Sequence, residues 1–170
     1  VYMPGLIEQG EAAHFVITGS GNGAFMVLPD CPIYTATKAA VQSITENLHF
    51  QATALGSPVK VSALFPGPYV VDTGLFNSGR VRPEDLKKEG VPEGNATGIN
   101  SVDDMRRMAA EYGIEMQFTH PDEVADMALA GLREDAFWLL TTTPETDAKI
   151  RARAEMILNR ETPVAPVLGA

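Results

Sequence analysis

The hydrophobic pattern changes period along the chain, and each change marks an element. "HFVIT", residues 14–18, is a β-rich run stopped by glycines, which predicts a strand. Residues 24–33, "AFMVLPDCPI", are apolar but carry Pro29 and Pro32, so a buried loop is expected. From Tyr34 to about Leu55 there is no Pro or Gly, and Val41, Ile44, Leu48 and Leu55 recur at helical spacing. Gly56, followed by Pro58, ends that helix. "VKVSALF", 59–65, reads as a second strand ended by "PGP". Residues 72–118 are a mixed excursion broken at Gly79, Pro83, Gly90, Pro92, Gly94 and Gly98, with a short helix expected over 102–112. "THPDEVADMALAGL" starts a helix, with Thr119 and Asp122 at capping-box spacing and Val124, Ala128, Leu129 and Leu132 on its apolar face. "AFWLLT", 136–141, is continuously apolar and reads as a third strand buried on both faces. Thr143 as N-cap and Pro144 at the first helical position open a last helix. Strands alternating with helices imply a mostly parallel α/β sheet covered on both faces.

Three strands are fewer than such a sheet normally holds, and "YMPGLIEQGE" at the start reads as the tail of a segment. Both point to an N-terminal part upstream of Val1. The 170 residues suit a single domain, 1–170, and 45% hydrophobic content supports a sizeable core. A net charge of −9 argues against a nucleic-acid or anionic-membrane surface, where a basic patch is needed. Cys31 is the one cysteine, so no disulfide framework forms within the chain. No apolar run reaches membrane-spanning length, and the expected compartment is the cytoplasm.

The stretch "VITGSGNGAF", 16–25, fits a dinucleotide phosphate loop by spacing alone, as Gly19-x-Gly21-x-x-Ala24. A phosphate loop needs a helix directly behind it, whose free N–H groups hold the pyrophosphate. Here "FMVLPDCPI" follows, with two prolines, so the spacing lacks its context. The other reading centres on Ser20. "YTATK" puts Tyr34 and Lys38 one turn apart on the same helical face. A free tyrosine keeps its proton until about pH 10, and a neighbouring ammonium favours the phenolate. One lysine rarely supplies the whole effect, so a cationic cofactor ring is expected nearby. Ser20 could then bond an oxygen that Tyr34 protonates or deprotonates.

Taken together, these features resemble the short-chain dehydrogenase/reductase family over about residues 1–160. A strand ends in Ser20, "YTATKAAVQSITENL" is similar to the family's Y-x-A-[ST]-K-A-A-[VL] helix, and "FPGPYVVDTG" is similar to its Pro-Gly-x-Val-x-Thr motif. The resemblance implies a Rossmann-like doubly wound parallel sheet, present here as its C-terminal half. It implies hydride transfer between NAD or NADP and an alcohol/ketone pair. Tyr34 would be the general acid/base, Lys38 would support it and bond the nicotinamide ribose, and Ser20 would polarise the substrate oxygen. Pro66, Gly67, Val71 and Thr73 would line the nicotinamide end. The motif departs from the family's spacing, because Pro68, Tyr69 and Val70 separate Gly67 from Val71. Either Val70 or Val71 would then present its carbonyl to the nicotinamide. The family's cofactor loop and catalytic asparagine would lie upstream, so the 170 residues alone are expected to be inactive.

The resemblance also makes the excursion a substrate lid. Phe76, Met105, Met108, Tyr112, Met116 and Phe118 there suggest an apolar or aromatic small-molecule substrate. Arg80 and Arg82 fit a surface loop better than a carboxylate site, and Asp103-Asp104 a solvated helix start better than an acid/base pair. His14, His49 and His120 lack metal-ligand spacing, and no metal is expected. Cys31 reads as a packed loop residue. Ala40, Ser43, Asn47, Phe50 and Ala54 form a second face of the long helix, suited to helix–helix packing between subunits, and the resemblance implies a homodimer or homotetramer through it. Two rival functions stand beside the oxidoreductase: a nucleotide-sugar epimerase/dehydratase, against which "FPGPYVVDT" counts, and a non-catalytic module.

Overall fold

The computed structural model describes residues 2–29, 31–86 and 99–165. In chain order the elements are α1 (Tyr2–Gln9), β1 (Ala13–Thr18), the single turn α2 (Gly21–Ala24), α3 (Pro32–Ala54) and β2 (Val59–Phe65). The two-residue strand β3 (Val70–Val71) precedes short 3-10 helices at Gly74–Val81 and Glu84–Leu86. Then come α4 (Val102–Glu111), β4 (Phe118–Thr119), α5 (Pro121–Arg133), β5 (Trp138–Leu140) and α6 (Pro144–Asn159). They form two compact units, one of Val1–Pro68 with Asp122–Leu168, the other chiefly Tyr69–Pro121.

The first unit is an α/β layer structure. Its sheet has the order β1-β2-β5, all parallel, so the three carboxyl ends lie at one edge of the layer. β2 is central, and Val59, Val61, Ala63 and Phe65 are each nearly fully buried. Met3 of α1 and Ala52 of α3 pack with Val59 and Val61, and Leu48 and Phe15 close the cluster. Fully burying a Val or Met side chain of this cluster contributes about 1.5–3 kcal/mol. On α5, Gly131 lies so near the Leu139 side chain that an added methyl would overlap its Cδ2. The absence of a side chain there lets α5 seat on β5.

Several sequence expectations hold and a few shift. α3 ends as expected: Gly56 takes φ +61 and Ser57 N–H bonds Ala52 O at 3.0 Å, closing the last turn. It begins earlier than expected, because Pro32 does not break the helix but occupies its first turn, where no N–H partner is needed. Thr143 caps α6 by accepting from Thr146 N–H at 3.2 Å. The box expected at Thr119 does not form. α5 starts at Pro121, and the Thr119 hydroxyl accepts from Tyr69 N–H at 3.1 Å. β5 is shorter than "AFWLLT" suggests and pairs with β2 alone, so Leu139 is buried while Trp138 stays 47% exposed.

In the second unit β3 and β4 pair in parallel, and Asp72 N–H extends the pairing to Thr119 O. Ser101 caps α4 by accepting from Asp104 N–H. Asp103 and Asp104 pair with Arg106 and Arg107, as a solvated helix start should. Arg80 turns back onto Gly74 O and Asn77 O, which leaves it a surface arginine. The breaks expected at Gly90, Pro92, Gly94 and Gly98 lie outside the described residues. Among the described residues no helix is long and apolar enough to cross a membrane, and no cluster of metal-ligating side chains forms.

Candidate active site

The carboxyl end of β1 carries the glycine-rich turn. Thr18 is the last residue of the strand, and Ser20 continues extended at φ −158, ψ 143 without capping the turn behind it. The turn is no phosphate loop. Asn22 and Gly23 leave helical geometry, and a helix starts only at Pro32. Two of its glycines, Gly19 and Gly23, instead answer a packing demand. A Cβ on Gly19 would sit 2.7 Å from the Phe65 ring, and one on Gly23 would sit 2.6 Å from Thr35 O and 2.7 Å from Ala39 N. Gly23 also has φ +105, a backbone conformation that side-chain-bearing residues rarely adopt. The turn therefore lies directly on the backbone of α3.

It lies on the turn of α3 that carries Tyr34 and Lys38. The Lys38 Nζ donates to Thr18 O at 3.1 Å and stands 5.9 Å from the Tyr34 ring centroid. Ser20 is thus bracketed by Thr18, which Lys38 bonds, and Gly23, which touches Thr35 and Ala39. Tyr34 is 39% exposed, open to a ligand. An ammonium has three N–H donors, so Lys38 keeps two after bonding Thr18.

Pro66 and Gly67 follow β2, and with Gly21, Phe25, Met26 and Leu140 they line a small cleft at the carboxyl ends of the strands. Phe65 supports its floor, 4.6 Å from Phe25 and 5.9 Å from Trp138 between ring centroids. Open α/β sheets bind ligands outside this edge. Val71 and Thr73 belong to the second unit. Val71 pairs with Thr119, and Thr73 precedes the 3-10 helix in extended conformation.

Two residues escaped the sequence reading. Asn22 Oδ1 accepts from Thr35 Oγ1 at 2.9 Å and from Leu28 N–H at 3.1 Å, and its Nδ2 donates to Cys31 Sγ at 3.1 Å. Asn between two glycines signals a turn whose side chain bonds nearby backbone, which flags Asn22. No sequence signal marks Thr35. Cys31, expected as a packed loop residue, is half-buried directly before α3.

Residues 2–81 match the family described as short chain dehydrogenase. A short chain dehydrogenase/reductase from Burkholderia phymatum, solved in complex with NAD, superposes with a TM-score of 0.78 at 32% identity, covering 98% of this chain. The chain belongs to the short-chain dehydrogenase/reductase family. The family likeness extends to the apo form of LigO from Sphingobium sp. strain SYK-6, with a TM-score of 0.56, 25% identity and 93% of this chain covered. An uncharacterized oxidoreductase of Staphylococcus aureus (strain N315) is 37% identical over 86 residues, 51% of this chain. This family member spans 56% of the Burkholderia protein, 44% of LigO and 34% of the staphylococcal protein. Its fold is the partial, Rossmann-like α/β layer expected from the sequence.

Proposed function

We propose that the protein interconverts an alcohol and a ketone or aldehyde with NAD or NADP, using Ser20, Tyr34 and Lys38. The observation that supports this reading is the bracketing of Ser20 along the chain: Thr18 before it accepts from Lys38, and Gly23 after it packs on the backbone of Thr35 and Ala39. The cofactor supplies the hydride acceptor or donor. The donor set suits its ribose, since the two free N–H groups of Lys38 match a vicinal diol. The NAD of the Burkholderia relative supports the same assignment. Pro66 and Gly67, which line the cleft at the carboxyl ends of the strands, would flank the nicotinamide.

The proton work falls to side chains of this chain. In the oxidation direction Tyr34 Oη takes the alcohol proton while Ser20 Oγ donates a hydrogen bond to the same oxygen. In reduction Tyr34 returns the proton. Two donors aimed where negative charge develops stabilise the transition state more than the ground state. The substrate is a small apolar or aromatic alcohol or ketone, the cytoplasm is its compartment, and the exposed Phe50 face of α3 joins copies into a homo-oligomer.

The full-length gene product, with NAD or NADP and a panel of aryl alcohols, should build absorbance at the reduced-nicotinamide band. Tyr34→Phe should abolish it. Undiminished turnover in Tyr34→Phe would remove Tyr34 from the chemistry, and no turnover with any alcohol or ketone would favour a non-catalytic module.

A further inference from the structure

The side chain of Asn22 joins three separate pieces of chain, and all three lead to the proposed catalytic turn. Its Oδ1 accepts from Leu28 N–H, and a backbone amide can only donate, so this contact fixes which end of the Asn22 amide is oxygen. The same oxygen takes the Thr35 hydroxyl, whose proton is shared with Cys31 O at 3.0 Å. Nδ2 then points at Cys31 Sγ. Thr35 is 7% exposed and is the immediate neighbour of Tyr34. Asn22 is two residues past Ser20 and one before Gly23. A single side chain therefore ties the loop of Ser20, the loop entering α3 and the first turn of α3.

We propose that Asn22 and Thr35 form a positioning pair that fixes Tyr34 and Lys38 relative to Ser20. This rests on the Ser20–Tyr34–Lys38 reading above, in which neither residue touches the reacting atoms. Gly23 supplies the close approach of the two segments. A flat glycine contact resists compression but not sliding, because it has no directional bond. The Asn22–Thr35 bond supplies the direction and sets the register of the turn against the loop. Effective catalysis needs that register: a misplacement of about 1 Å in a reacting group can cost roughly 100-fold in rate. The pair leaves the cleft lining unchanged, since neither residue borders it. Its loss should therefore act on turnover and spare substrate binding.

The test compares Asn22→Ala, Thr35→Val and Thr35→Ser in the full-length gene product. Thr35→Val keeps the shape and removes the hydroxyl, whereas Thr35→Ser keeps the hydroxyl. We expect Asn22→Ala and Thr35→Val to lower kcat roughly 10- to 100-fold with KM nearly unchanged, and Thr35→Ser to restore most of the rate. Hydrogen exchange followed on the same proteins should show faster exchange at Leu28 and across 34–38 in Asn22→Ala and Thr35→Val, and wild-type exchange in Thr35→Ser. A kcat for Asn22→Ala close to wild type, or an equal loss in Thr35→Ser and Thr35→Val, overturns the pair. If the wild type turns over no alcohol or ketone, the catalytic reading fails on its own. Exchange then decides: acceleration confined to 28 and 34–38 supports the pair as the determinant of this turn's register, and unchanged exchange overturns it.

Discussion

Gly23 shows how much one residue can decide at this site. Its φ of +105 and its contacts with Thr35 O and Ala39 N leave no room for a side chain. Gly10 has a similar positive φ, +73, but nothing within 4 Å of where a Cβ would sit. The pair separates conformational strain from contact. Gly10→Ala should cost about 1–2 kcal/mol, the penalty for a left-handed alanine. Gly23→Ala adds overpacking against backbone and should cost about 2–5 kcal/mol in total. Urea unfolding of both variants measures the difference, and equal losses would show that Gly23 is not in contact with α3. At this scale the sequence was half legible. Tyr34 and Lys38 are visible because helical spacing makes them neighbours, and Ser20 is visible from its strand end. Asn22 and Thr35 are not, because their bond spans 13 positions and depends on the turn that Gly23 permits. Spacing arguments see along an element and not across it.

At the scale of elements, the two sides of α3 differ. One side packs Leu48 and Ala52 on the sheet. The other leaves Ala40, Ser43, Asn47, Phe50 and Ala54 exposed, with Phe50 at 61%. A large apolar ring among small residues suits a second copy of the same helix. Phe50→Asp should reduce the mass seen in light scattering to that of a single chain. The fold itself should lose no more than about 0.5 kcal/mol, since the ring is a surface group within its own chain. An unchanged mass would exclude this face as the subunit contact. Elements with long, regular periodicity, α3, β2 and α6, were readable within a residue or two. β3 and β4 were not, because a two-residue strand carries no period and exists only through its partner. The length of β5 was misjudged for a related reason: an apolar run signals burial, but pairing with β2 alone sets where the strand stops.

At the scale of the whole molecule, acid sensitivity should trace in part to a bond network running from β1 through β2 to the residues just before β5. Ser62, fully buried on β2, donates its one proton to Ala136 O at 2.8 Å just before β5. It must then accept from His14 Nε2 of β1, also at 2.8 Å, which fixes the proton on that nitrogen. Burial holds the His14 ring below its ordinary value of 6.5, with nearby Lys60 acting in the same direction and Asp135 opposing. Lys60 and Asp135 are themselves 3.7 Å apart, so their effects on the ring partly cancel. A ring that takes up its proton less readily when folded makes the unfolded chain the stronger proton binder. The stability it contributes is then fully present above pH 6.5 and is lost as pH falls through the lowered folded value. Asp104 and Glu145, also held low, lose their contributions only in the carboxylate range further down. Comparing wild type with His14→Gln removes that background, because both proteins carry the same carboxylates. Glutamine keeps an N–H donor for Ser62 and cannot charge. Urea midpoints measured at about pH 7.5 and about pH 5.5, on either side of an ordinary histidine pKa, should fall in the wild type and fall less in the variant. An equal fall in both would show that His14 adds nothing to the acid sensitivity of the fold.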